Sequence, residues 1–115
     1  MFIFCAYIFV GLVLIAAGIP LAMRKVRPNP YYGFRTKATL GDEKLWYAVN
    51  AATGRVLVIG GIVGNLATVI LYFRPGISEA LFSAGALVIL SLVMIAILVT
   101  SFILLRRIKR RLGLK

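Results

Sequence analysis

The chain contains no histidine and a single cysteine, and only three acidic residues stand against 14 basic ones. Without histidine there is no Ser/His/Asp relay, and the commonest neutral metal ligand is missing. Cys5 alone excludes an internal disulfide and any paired-thiolate site, and it reads as a small apolar side chain. No glycine-rich phosphate cradle precedes a helix. Asp42 and Glu43 are neighbours, so on a helix they diverge by about 100° and cannot act as a paired acid and base. No catalytic group, metal site or cofactor is expected.

What the chain has in abundance is apolar length: 62% of its 115 residues are hydrophobic, far too many for a soluble unit of this size. Three runs, Phe2 to Met23, Val56 to Phe73 and Leu81 to Leu105, are each long enough to cross hydrocarbon about 30 Å thick. Water-free surroundings leave unpaired backbone groups unsatisfied, so runs of this length must be helices rather than barrel strands. The fold class is therefore an all-α membrane protein with three transmembrane helices. The first run lacks a basic leader and exceeds an ordinary signal core, so it is expected to remain attached.

The net charge of +11 is carried at the ends of these runs and not along one soluble face, which argues against direct nucleic-acid binding. Arg24, Lys25, Arg27, Arg35, Lys37, Lys44 and Arg55 lie between the first two spans. Arg106, Arg107, Lys109, Arg110, Arg111 and Lys115 follow the third, and only Arg74 separates the second from the third. Basic residues are retained in the cytoplasm. The reading is a multi-pass protein of the cell membrane with its amino terminus outside, its long loop and tail inside, and the anionic lipid of the inner leaflet as a contact.

One membrane domain over 1–115 follows: a helix over about 2–23, a motif loop over 24–41, a helix over about 42–73, a helix over about 79–105 and a basic tail over 106–115. Pro20 is expected to kink or end the first helix. The second helix is expected to start at Thr39-Leu40-Gly41-Asp42, an N-cap followed by an acidic residue in the first turn. At about 48 Å it is longer than the hydrocarbon, so it either projects into the cytoplasm or bends near Gly54.

The loop concentrates the chain's chemical variety: the only Trp, two of the four prolines, and Tyr31, Tyr32 and Phe34 around Gly33. Such aromatics favour the membrane boundary, and a positive φ at Gly33 would let Arg35 turn back toward the helices. Arg35, Asp42, Glu43, Trp46 and Asn50 are expected to cluster at the inner boundary and fix the loop beneath the helices, with the carboxylates neutralising Arg35, Lys37 or Arg55. Arg55, at the start of the second span, reads as a snorkelling anchor. Along that span Trp46, Asn50, Thr53, Gly54, Leu57, Gly61, Gly64, Asn65 and Thr68 share a face, and Gly60 with Gly64 adds a G-x-x-x-G spacing. This seam should face the protein interior or another subunit. Gly11 and Gly18 give the first span a face open to close approach, and a homo-oligomer through the glycine faces is expected.

Pro28-Asn29-Pro30-Tyr31-Tyr32-Gly33-Phe34-Arg35-Thr36, followed by Thr39-Leu40, Glu43, Trp46, Asn50 and Gly54-Arg55, resembles the signature of the SdpI family of small bacterial integral membrane proteins. Carried over by position, the matching residues are Pro28, Asn29, Gly33, Arg35, Thr36, Trp46 and Asn50. The family's namesake protects its producer from a secreted peptide toxin and recruits a cytoplasmic autorepressor to the membrane. The resemblance thus implies a non-enzymatic immunity or signalling protein whose partners are an apolar peptide toxin and a cytoplasmic regulator. This chain is shorter than the namesake ahead of the motif, and family membership does not fix the partner. The alternative is a small transporter or channel subunit, oligomerised around the polar and glycine face of the second helix.

Overall fold

The computed structural model describes residues 1–114, and Lys115 lies outside them. It contains helices α1 (Phe2–Ala22), α2 (Lys37–Leu40), α3 (Glu43–Tyr72) and α4 (Glu79–Arg111). Three of them, α1, α3 and α4, are long and apolar enough to cross a membrane. The long side chains Ile59, Ile62, Leu66 and Ile70 of α3 and Leu87, Leu92, Ile95 and Val99 of α4 are exposed, as expected of a surface whose solvent is lipid rather than water.

The central helix is α3, which packs against both α1 and α4, whereas α1 and α4 barely meet. Glycine permits the α1–α3 contact. A Cβ placed on Gly54 would sit 2.5 Å from the Gly18 carbonyl oxygen and from the Ala22 nitrogen, and one on Gly61 would sit 2.7 Å from the Gly11 carbonyl oxygen. The two backbones therefore touch at positions where any larger residue forces them apart. The α4 side is wider: Gly60 lies against Ile97 and Val93. At one end Phe4 stacks on Tyr72 with centroids 4.2 Å apart, and Tyr72 meets buried Phe82 edge-on at 5.3 Å.

These contacts set a common level. Along α1, Gly18 meets Gly54, Gly11 meets Gly61, and Phe4 meets Tyr72. At about 31 Å, α1 matches the hydrocarbon thickness. Only α3 from Gly54 onward runs beside it, and the stretch from Glu43 to Thr53, about 16 Å long, stands beyond its end. The helix is uninterrupted from Glu43 to Tyr72, so the excess length is taken up by projection.

Several boundaries differ from those expected, each for a local reason. Pro20 does not end α1, which continues to Ala22. The helix closes with Arg24 N–H to Leu21 C=O at 3.1 Å and Lys25 N–H to Pro20 C=O at 3.0 Å, with Arg24 left-handed at φ 59°. Thr39 is not the cap of the second span. It belongs to the one-turn helix α2, whose cap is Thr36, while Asp42 caps α3 by accepting from Leu45 N–H at 2.9 Å. The third span extends to Arg111, so most of the basic tail is helical. Nothing between Arg106 and Arg111 breaks a helix, cations complement its carboxyl end, and it stops only where Gly113 takes φ 71°.

Candidate functional site

The projecting end of α3 carries a small core of its own. Leu45, Trp46 and Val49 are at most 1% exposed and Asn50 is 2% exposed, although they lie outside the level of α1. From Ala51 to Gly54 every residue is buried, so the helix is enclosed around its circumference. A helix leaving hydrocarbon is ordinarily wet on at least one face; here the motif loop covers it.

Three attachments tie the loop to α1 and α3, and a fourth closes it on itself. Trp46 donates its indole N–H to the Val26 carbonyl at 2.9 Å, fixing the chain just after α1. The Asn50 amide holds Phe34 by both backbone groups, accepting from its N–H at 2.5 Å and donating to its C=O at 3.3 Å, and it also donates to the Trp46 carbonyl at 3.0 Å. Thr39, fully buried, donates to the Phe34 carbonyl at 3.0 Å while accepting from Thr36 N–H at 2.8 Å. Tyr32 reaches back along α1 and donates its hydroxyl to the Ala17 carbonyl. Burial pushes the Tyr32 phenol above its ordinary range.

The loop's own conformation is set locally. Asn29 accepts from Tyr31 N–H at 2.9 Å and Tyr32 N–H at 2.7 Å, a side-chain turn between two prolines that already disfavour helix. Gly33 adopts φ 112°, and a Cβ there would lie 2.8 Å from the Asn50 oxygen, so both backbone angle and space require glycine. Phe34 then meets Phe102 of α4 edge-on, centroids 5.1 Å apart, which ties the loop to the third spanning helix.

The structure thus brings Gly33, Thr36, Trp46 and Asn50 together and places the charged residues differently. Arg35 turns back, as Gly33 allows, but its guanidinium donates to the Pro30 and Gly33 carbonyls and not to either carboxylate. Asp42 is occupied as a helix cap, and Glu43 is exposed in the first turn. Pro28 and Asn29 shape the turn, and Arg55 stands apart, exposed on the outer side of α3. The Asn65 seam faces α1: its amide lies against Gly11 and donates to the Ile8 carbonyl at 3.3 Å. Gly61 shares that contact, while Gly60 and Gly64 face α4 and stay half-exposed.

Two further residues complete the site: Thr39, which closes the loop on Phe34, and Phe34, its contact with α4. The Thr36-x-x-Thr39 spacing carried the first as a cap signal; a contact across the sequence distance of the second leaves no local trace. Among the described residues no group of His, Cys, Asp and Glu side chains could hold a metal ion.

A family model described as the SdpI/YfhL protein family matches residues 25–105, from the first loop arginines' neighbourhood to the end of the apolar part of α4. No curated protein and no solved structure matches the chain.

Proposed function

The chain belongs to the SdpI/YfhL protein family, and from that premise we propose that it is a non-enzymatic membrane protein of the immunity or signalling type, which engages an apolar peptide within the bilayer and offers its basic cap to a cytoplasmic regulator. The observation that carries this reading is the fixed loop: Phe34 is clamped by Asn50 on one side and packed on Phe102 of α4 on the other. A peptide lying along the exposed outer face of α4 would bias that helix, and Phe102 would pass the shift to the loop. Unlike a loose linker, a loop held at defined points can occupy discrete positions.

The side on which the cap lies is part of the proposal and is supported by the distribution of basic residues, retained where the loop and the carboxyl end of α4 lie. A pore reading has less support, because the polar seam that would line it is packed against α1. The cavity beside Asn65, Tyr7 and Thr68 is about 20 Å³, room for a single water.

The test is survival. A bacterium sensitive to membrane-active bacterial peptides, producing this protein at verified membrane levels, should survive doses that kill empty-vector cells, and Asn50→Ala should reduce that protection. Equal killing of cells with and without the protein across such peptides overturns the immunity reading.

A further inference from the structure

Arg55 is the one cation on the lipid-facing side of α3, and its surroundings are unlike those of the loop and tail cations. It sits at the level of Ala22, the last residue of α1, because neighbouring Gly54 is in backbone contact with Ala22, and a span of about 31 Å puts that end at the headgroups. Below it, one turn along, Ile59 is 61% exposed and stands as a ridge between two apolar troughs. One trough, about 350 Å³, runs between α1 and α3 and is walled by Ile19, Ala22, Met23 and Val58, with Arg55 at its head. The other, about 310 Å³, runs between α3 and α4 and is walled by Val56, Gly60, Val63, Ala96 and Ile97.

We infer that Arg55 and the troughs on either side of Ile59 form a binding site for one diacyl phospholipid with an anionic headgroup. The guanidinium takes the phosphate in a forked pair of charge-assisted hydrogen bonds, strongest where no headgroup ammonium offsets the phosphate charge, and the two acyl chains descend one in each trough, straddling Ile59. A transmembrane helix fits this surface poorly. Helices approach through small residues, whereas the face below Arg55 continues as Ile59, Ile62, Leu66 and Ile70. Two flexible chains need no flat contact, only paired channels beneath a cation. This inference is independent of the peptide-binding reading.

Native mass spectrometry of the whole protein, released from micelles containing equal amounts of phosphatidylglycerol and phosphatidylcholine with identical chains, tests it. One phosphatidylglycerol should be retained in preference. Arg55→Gln should lower that retention about tenfold, toward the phosphatidylcholine level, which corresponds to loss of one charge-assisted pair, and Arg55→Lys should fall between. Ala96→Phe, which fills the second trough without altering charge, should lower retention of both lipids, and Arg110→Gln in the tail should change neither. Equal retention of the two lipids, an unaffected Arg55→Gln, an equal loss on Arg110→Gln, competition by glycerol phosphate lacking chains, or a second copy retained in place of lipid would each overturn the site.

Discussion

Asn50 on α3 holds Phe34 in the loop by both of its backbone groups, N–H to Oδ1 at 2.5 Å and Nδ2 to C=O at 3.3 Å. One amide side chain thereby does for the loop what a neighbouring strand does in a sheet, inside a site that is 2% exposed. Removing it leaves a buried donor without a partner, and the penalty for that exceeds the value of the bond itself. Asn50→Ala should lower unfolding stability by about 2 kcal/mol and render the loop sensitive to trypsin at Arg35 and Lys37. An unaltered melting temperature with an unaltered cleavage rate would show that the clamp is not what fixes the loop.

The glycines of α3 should differ sharply by position. At Gly54 an added methyl meets backbone atoms of α1 at 2.5 Å, and backbone cannot swing aside, whereas at Gly64 the nearest atom is a Val93 methyl at 3.5 Å. Gly54→Ala should therefore cost about 2 kcal/mol by overpacking. Gly64→Ala should be neutral or gain a few tenths of a kcal/mol from helix propensity, roughly. Thermal unfolding in one detergent ranks the two, and a reversed order would refute the close crossing of α1 and α3.

Arg24 occupies left-handed backbone at φ 59° where glycine is ordinarily found. To separate strain from charge, Arg24→Gly is compared with Arg24→Ala, both of which remove the cation. The glycine variant should be the more stable by about 1 kcal/mol. Equal stabilities would mean that the end of α1 relaxes into another geometry.

The Tyr32 phenol is raised by burial, and only its protonated form donates to the Ala17 carbonyl. A raised acid keeps its full contribution below the unfolded phenol value of about 10 and loses it as the pH climbs through the higher folded value. The stability advantage over Tyr32→Phe should thus be level from neutral pH to about 9 and disappear above 10. An advantage that fades between pH 6 and 8 would point to a different titrating group.

Sidedness can be read with thiol labelling after Cys5→Ser. In intact cells a membrane-impermeant maleimide should modify Gly76→Cys, in the exposed turn between α3 and α4, and should spare Tyr31→Cys, in the exposed part of the loop, until the cells are opened. The opposite pattern would put the cap outside and remove the basis for a cytoplasmic regulator.

The spans were legible because hydrocarbon imposes length and apolarity on each helix separately. The seam from Trp46 to Thr68 was legible too, since its small and polar residues recur at helical spacing, although sequence left open whether it served the chain itself or a second copy. Only the facing residues decide that: Gly18 and Gly11 lie across from Gly54 and Gly61. The partners of Arg35 were not legible. Opposite charge favours carboxylates as its targets, but the turn built by Asn29 and Gly33 brings the Pro30 and Gly33 carbonyls nearer, and Asp42 is claimed by its helix. The end of α4 is not legible from apolarity, which stops at Leu105 while the helix runs on to Arg111. A helix continues through arginines as readily as through leucines.

Trp46 is the chain's only tryptophan, it is 0% exposed, and its indole is bonded to the strand of chain leaving α1. Every photon of indole fluorescence therefore originates at a single point, the place where loop and helix meet. Detachment of the loop would admit water to that ring and move its emission to longer wavelength, while rearrangements elsewhere in the bilayer would leave the spectrum still. The protein carries, without labelling, an optical gauge of the junction on which the proposed mode of action turns.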